Sequence, residues 1–210
     1  MRKTISLLSL VLLLANVHGY AQKSKKGWIP LFDGKTFTGW KVGDNASTFS
    51  IENGSIVVNG PVAHLFYDGP VNNHSFKNFE FKTQVMTTPG SNSGIYFHTE
   101  YQQGSWPAKG YEVQVNNSHT DWRRTGSLYN IQDVKDTLVK DNVWYTEHII
   151  VKDKHVTIKI NDKVAVEYDE PAELPKNRGG RRIDAGTFAL QGHDPKSKVY
   201  FKDIYVKPLP

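Results

Sequence analysis

The chain has 210 residues, with 26 lysines and arginines against 21 aspartates and glutamates, and it contains no cysteine. This length fits one domain with a sizeable hydrophobic core, and the lack of cysteine excludes a small fold held together by disulfides. The net charge of +5 is spread among acidic residues, which argues against a basic stripe, so we expect no nucleic-acid partner.

The first segment has the pattern of a secretory signal peptide. Arg2 and Lys3 precede a short apolar run at 5–15, and Gly19 and Ala21 offer small residues for cleavage. The run is shorter than the roughly 20 residues that a membrane-spanning helix needs, so we expect no membrane span. The sequence thus divides into a signal peptide at 1–21, a short basic tail at 22–26 and a single domain at 27–210. We expect the mature protein to be soluble, exported and, without cysteines, periplasmic.

Short strands separated by turns dominate the rest of the chain. Two-residue links such as Asn53-Gly54 and Asn161-Asp162 are typical of antiparallel hairpins, and no segment has the pattern of a long amphipathic helix. The predicted strands are 49–52, 55–58, 79–86, 94–99, 111–115, 145–152, 155–160, 163–168, 186–191 and 199–207. This pattern predicts an all-β fold, an antiparallel β-sandwich or jelly roll in which one sheet has a concave polar face.

Three of these strands place polar side chains on one face and apolar side chains on the other, because side chains alternate along a strand. The polar side chains are Tyr96 and His98, Glu112 and Gln114, and Gln191 and His193. A wet sheet face rich in carboxylate, amide, imidazole and phenol groups suits a sugar. We therefore expect these strands to form a carbohydrate site.

A long irregular segment at 116–142 interrupts the strand pattern. Loops of that length inside a compact domain are usually functional, so we interpret this one as a wall of the site. Its notable side chains are His119, Trp122, Arg123, Arg124, Tyr129 and Lys135. A later basic group, formed by Arg178, Arg181 and Arg182, could clamp an acidic group, but a solvated turn is the favoured interpretation.

Four motifs, taken in order, resemble one known family. They are GWIPLFDGKTFTGWKV, SNSGIYF followed by GYEVQV, WYTEHIIVKDKHVTIKINDKVAVEY, and FALQGHDPKSKVYFKDIYVKPL. Together they resemble the 3-keto-disaccharide hydrolase domain, long catalogued as a domain of unknown function, over residues 27–209. The resemblance implies a fold like that of concanavalin A-like lectins and glucanases.

The resemblance also implies chemistry on sugars already oxidised to a ketone at C3. The ketone acidifies the C2 hydrogen, so a base can remove it and expel the glycosidic oxygen at C1, and added water gives net hydrolysis. Such a site needs a base at C2, a donor or cation near the C3 oxygen, and an acid for the leaving group. The expected partners are a glycoside or oligosaccharide substrate and a separate oxidoreductase that makes the ketone, since the chain lacks a flavin or nicotinamide motif.

Glu112 and His193 are the predicted catalytic residues. The family motif places a glutamate at position 112, which would act as the base or as an anchor for sugar hydroxyls. His193 is suited to accept a carbon-bound proton and return it to a leaving oxygen. The competing interpretations are a surface glutamate paired with a lysine and a histidine in an ordinary turn.

The predicted substrate-binding residues fall into three chemical groups. The hydrogen-bonding side chains are Gln191, Asn92, His98 and Tyr129; the cations are Arg124 and Lys135; the aromatic platforms are Trp106 and Trp122. We predict no cofactor. A divalent metal remains an option only if Glu112, His98 and His193 converge in space, because none lies at a recognisable ligand spacing.

Two other functions are compatible with the same fold. A non-catalytic carbohydrate-binding module would need stacking aromatics and hydrogen-bonding groups but no acid or base. A retaining glucanase would need two carboxylates about 5–5.5 Å apart, and Glu112 has no acidic neighbour two or four residues away. The glucanase is therefore the least favoured.

Overall fold

The computed structural model describes residues 26–104, 106–175 and 181–210. The predicted signal peptide, most of the basic tail and Arg178 lie outside these ranges. The strands of the described residues are β1 (Ile29–Pro30), β2 (Trp40–Val42), β3 (Phe49–Glu52), β4 (Ser55–Val58), β5 (Ala63–Tyr67), β6 (Phe79–Thr87), β7 (Ser93–Thr99), β8 (Tyr111–Val115), β9 (Tyr145–Lys152), β10 (His155–Ile160), β11 (Lys163–Asp169), β12 (Thr187–Gly192) and β13 (Val199–Pro208).

These strands form two antiparallel sheets, as the all-β prediction requires. The eight-stranded sheet has the order β11-β10-β9-β6-β13-β4-β3, with β1 beside β13, and the five-stranded sheet has the order β2-β5-β12-β7-β8. Helical structure among the described residues amounts to two short 3-10 turns, Ala46–Thr48 and Val71–His74. The β-sandwich prediction is confirmed.

The hairpin links predicted from sequence are present and have the expected backbone. Asn53 and Gly54 have φ values of 49° and 78°, and Asn161 and Asp162 have φ values of 49° and 65°. Positive φ at both central residues matches the right-handed twist of the flanking strands. The ten predicted strands are all found, with ends that differ by at most one residue.

The sequence did not predict β1, β2 and β5. The first two are only two and three residues long. The run AHLFY of β5 has only one clearly polar side chain, His64, so it lacks the polar and apolar alternation by which the other strands of this sheet were predicted. The omission matters because β5 lies next to β12 and extends the polar face of the five-stranded sheet.

The core lies between the two sheets and is rich in aromatic rings. The Phe188 ring of β12 lies with its centroid 4.6 Å from that of Phe81 and 4.9 Å from that of Phe79, both on β6. All three side chains are fully buried. Each contributes on the order of 1.5–3 kcal/mol through burial, which makes this contact a rigid support for the opposite, polar face of β12.

One buried carboxyl group interrupts the core. Glu147 of β9 has no solvent exposure, and neither carboxyl oxygen has a hydrogen-bond partner among the described residues. Burial raises the pKa of Glu147 well above its ordinary value. The folded protein therefore holds a neutral carboxylic acid at this position.

We expect Glu147→Leu to raise the free energy of unfolding at neutral pH by about 1–3 kcal/mol, because it removes an unsatisfied buried polar group. Above the ordinary pKa of glutamate the unfolded wild-type chain releases this proton while the folded chain keeps it, so wild-type stability falls as pH rises. The gain should thus be larger at pH 8 than at pH 4.5 in denaturant titrations. Glu167→Leu, at an exposed site on β11, is the control, and a gain independent of pH would contradict the prediction.

Candidate active site

A cavity of about 190 Å³ lies on the polar face of the five-stranded sheet. It is lined by Asn92, Tyr96, Trp106, Glu112, Gln114, Tyr129, Arg181, Gln191 and His193. Strand register brings them together, because Tyr96 pairs with Glu112 across β7 and β8, and β12 lies on the other side of β7. The cavity thus unites four of the predicted substrate-binding residues with both predicted catalytic side chains.

Glu112 lies at the floor of this cavity in a closed hydrogen-bond network. The Tyr96 hydroxyl donates to Glu112 Oε2 at 2.7 Å, and Gln191 Nε2 donates to Oε1 at 2.8 Å. Only 5% of the residue is exposed. Burial raises the pKa of Glu112, although the bonds from Tyr96 and Gln191 oppose the change. A raised pKa favours the protonated carboxyl group and makes a proton donor available.

Gly94 leaves room for the Glu112 side chain. A Cβ atom at position 94 would lie 2.4 Å from Glu112 Oε1 and 2.8 Å from Cγ. A side chain at this position would therefore occupy the space that the carboxylate fills.

We expect Gly94→Ala to displace the Glu112 carboxylate and to lower kcat by about 10²-fold, because small misplacements of a catalytic group have large effects on rate. Steady-state kinetics with a 3-keto-glucoside checks this. In a protein that already carries Glu112→Gln, the alanine should have little further effect. Equal losses in both backgrounds would show that Gly94 acts by another route.

His193 follows β12 and is oriented by its neighbour. Its Nδ1 lies 2.8 Å from Asp194 Oδ2, and the same carboxylate accepts hydrogen bonds from the Ser197 hydroxyl and from the backbone N–H groups of Lys196 and Ser197. Burial acts to raise the pKa of Asp194, but the bonds from Ser197 and His193 lower it to about 2. An ionised Asp194 accepts a hydrogen bond from His193 Nδ1–H, so in the neutral imidazole the lone pair is on Nε2.

Two aromatic side chains lie at this face: Trp106, which was predicted as a platform, and His64, which was not predicted. Trp106 covers the cavity, is 41% exposed, and has ring centroid distances of 5.6 Å to both His193 and His64. His64 was missed because β5 was missed. It is 4% exposed, pairs with Gln191 in the sheet register and meets the Tyr96 ring edge-on at 5.4 Å. Burial lowers the pKa of His64 to about 4, so it is a neutral imidazole beneath Trp106.

Arg181 and Tyr129 complete the walls. Arg181 was interpreted as part of a solvated turn, but it lines the cavity and acts to lower the pKa of Glu112 through its charge. Tyr129 is held against β8, where its backbone N–H donates to the Glu112 carbonyl at 2.9 Å. The 116–142 loop therefore does form one wall, as predicted.

His98 does not share the face of Tyr96, so this prediction is wrong. Its φ of 55° and the register shift between β7 and β12 mark a bulge that turns its side chain away. His98 Nε2 lies 2.9 Å from the Lys77 carbonyl, and Nδ1 accepts the backbone N–H of Asp184 at 3.2 Å. His98 lines a different cavity, at the end of the strands. It therefore does not converge with Glu112 and His193, as the metal site considered from sequence would require.

Three predicted loop residues also lie outside the cavity. Arg124 Nη1 donates to the carbonyls of His119 and Asp121 at 2.8 and 2.7 Å, so it organises the loop. Lys135 Nζ lies 5.7 Å from the ring centroid of Trp122, which is 47% exposed. A different group, His119 with His193 and Asp194, brings three ligand-type atoms within 4.8 Å of one another.

Solved structures with a similar fold place this architecture among carbohydrate-related β-sandwiches. A crystal structure from Parabacteroides distasonis ATCC 8503, provisionally described as a glycosyl hydrolase, has a TM-score of 0.74 at 25% identity and covers 88% of this chain and 95% of its own. SCLam, a non-specific endo-beta-1,3(4)-glucanase from family GH16, has a TM-score of 0.56 at 11% identity. The match covers 87% of this chain and 91% of the SCLam chain. The fold is therefore a concanavalin A-like β-sandwich.

Sequence comparisons define the family. A family model described as a 3-keto-alpha-glucoside-1,2-lyase-like domain matches residues 27–207. A 3-keto-disaccharide hydrolase of Bacteroides thetaiotaomicron is 31% identical over an alignment of 231 positions, gaps included, which covers 87% of this chain and 79% of that protein. This chain belongs to the 3-keto-disaccharide hydrolase domain family, as its motifs indicated.

Proposed function

We propose that this protein cleaves glycosides whose sugar has already been oxidised to a ketone at C3. Removal of the C2 proton leaves an electron pair that is delocalised onto the C3 oxygen and then expels the glycosidic oxygen from C1. The product is an unsaturated keto sugar, and addition of water to it gives net hydrolysis. Membership of the family, together with the names of its relatives, supports action on carbohydrates.

One observation carries the proposal: a buried carboxyl group and an oriented imidazole line the same cavity. His193 Nε2 would take the C2 proton, because Nδ1 is committed to Asp194. Glu112, whose pKa burial raises, would give its proton to the leaving oxygen. The two groups thus supply the base and the acid that the reaction requires.

The other lining residues have supporting roles in the proposal. Arg181 would supply the positive charge that was predicted for Arg124 or Lys135. Arg181 lines the cavity, whereas Arg124 and Lys135 do not. Gln191 has a buried Oε1 without a partner among the described residues, which is suited to accept a sugar hydroxyl. Asn92 and Tyr129 would bind further hydroxyls, and Trp106 would stack on the sugar ring.

The cellular setting is part of the same proposal. The predicted leader implies export to a periplasm-like space, and a separate oxidoreductase would supply the ketone. Among the described residues, none forms a helix with the length and hydropathy required to cross a membrane.

A carbohydrate-binding module is the second candidate, because an exposed tryptophan above a polar cavity also suits binding without reaction. The test is to incubate the protein with a 3-keto-glucoside and with its unoxidised parent in deuterated water, followed by NMR. Aglycone release or C2 deuterium uptake from the keto compound alone supports the enzyme. Shifts or line broadening that show binding, with neither reaction, would support the binding module.

A further inference from the structure

His193 lines the cavity, His119 lies beside it, and their hydrogen bonds give the two neutral rings opposite tautomers. The ring centroids of His119 and His193 are 5.4 Å apart. His193 Nδ1 donates to the ionised Asp194, so its Nε2 carries a lone pair. For His119 the reverse holds, because its Nδ1 accepts the backbone N–H of Asp121 at 3.1 Å.

A second donor supports the tautomer of His119. Asn92 Nδ2 lies 3.4 Å from His119 Nδ1, and Asn92 Oδ1 accepts a hydrogen bond from Gln114 Nε2 at 3.1 Å. The bond from Gln114 fixes the amide orientation, so the Asn92 NH₂ group faces His119. A nitrogen that accepts from two N–H groups is unprotonated, and the hydrogen of the neutral ring must then be on Nε2.

The same bonds argue against a metal at this cluster. Both oxygens of Asp194 already accept hydrogen bonds, from His193, Ser197 and the backbone of Lys196. His119 would need a free lone pair on Nε2 to bind a metal through that atom, and there it carries hydrogen instead. Burial and the neighbouring His193 also lower the pKa of His119, which favours its neutral form.

We propose that His119 Nε2–H donates a hydrogen bond to the C3 oxygen of the keto sugar as negative charge develops there. The inference rests on the proposed function and adds a residue to it. His193 presents a lone pair and His119 presents an N–H, so a substrate placed beside both meets a base at C2 and a donor at the adjacent C3 oxygen. A neutral imidazole can stabilise an enolate in this way without transferring its proton.

The first test needs no substrate. Long-range ¹H–¹⁵N correlation spectra of the mature protein should show His119 as the Nε2–H tautomer and His193 as the Nδ1–H tautomer at pH 7. A His119 that carries its hydrogen on Nδ1 would overturn the proposal.

The second test uses kinetics with a 3-keto-glucoside. Loss of one preorganised donor should lower kcat by about 10²–10³-fold in His119→Ala, with little change in KM, and the amide of His119→Gln should restore part of the rate. His155→Ala, at a partly exposed histidine on β10 paired with Asp169, is the control. A purely structural role would leave the glutamine variant as slow as the alanine variant, and that result would count against the proposal.

The outcomes separate the two proposals. If the wild-type protein does not act on the keto compound, the proposed function fails. If it does and His119→Ala keeps wild-type kcat, only the role of His119 fails. If EDTA abolishes wild-type activity, Zn²⁺ or Mn²⁺ restores it, and His119→Ala no longer binds that ion, the cluster is a metal site and the donor role is wrong.

Discussion

Replacing Glu112 by glutamine is expected to lower kcat on a 3-keto-glucoside by about 10²–10⁴-fold, the usual contribution of a positioned general acid or base. Glutamine has nearly the same shape, so it can still contact Tyr96 and Gln191, but it cannot give a proton to the leaving oxygen. The free energy of unfolding should not fall, because the variant no longer buries an ionisable group. The loss should therefore appear in activity alone.

The pH dependence gives a second measure of the same residue. Because burial raises the pKa of Glu112, its acid form persists to higher pH than in an exposed glutamate. The wild-type rate should fall on the alkaline side as this proton is lost, and the residual rate of Glu112→Gln should lack that decline. Glu52→Gln, on the exposed edge of β3, is the matched control. Full activity in Glu112→Gln would show that the catalytic assignment is wrong even if the fold is right.

His193→Ala should also abolish most turnover, again by about 10²–10⁴-fold, because it removes the base. Asp194→Asn should have an effect of similar size although it leaves the imidazole in place. The asparagine NH₂ can donate to Nδ1, which moves the ring hydrogen to Nε2 and occupies the lone pair that takes the C2 proton. C2 deuterium uptake measured by NMR reports this step directly.

A second histidine–aspartate pair in the same chain provides the control. His155 Nδ1 lies 2.8 Å from Asp169 Oδ1 at a partly exposed position on the eight-stranded sheet. His155→Ala and Asp169→Asn should leave kcat and C2 exchange unchanged. If Asp194→Asn also retained wild-type exchange, the orientation of His193 by Asp194 would not matter for the reaction.

Alternation along strands was enough to predict the polar face and the neighbourhood of Glu112, Gln191 and His193. Alternation gave the wrong face for His98 because a β-bulge breaks the two-residue period of the strand. No residue pattern in this sequence predicts that bulge. Alternation failed for His64 because the run AHLFY carries a single clearly polar side chain among apolar ones and so shows no alternation. Arg181 was misjudged because a loop residue can be placed only by the tertiary fold.

The position of β13 has a consequence for how the chain is made. This strand lies between β4 and β6 in the middle of the eight-stranded sheet, and β1 pairs with it as well. A nascent chain that ends before Val199 must leave one edge of β4, one edge of β6 and the whole of β1 unpaired, so the eight-stranded sheet is completed only after β13 has been synthesised. The order of synthesis thus delays completion of this sheet until the chain is nearly finished, and that delay suits a protein whose leader predicts passage through a membrane before folding.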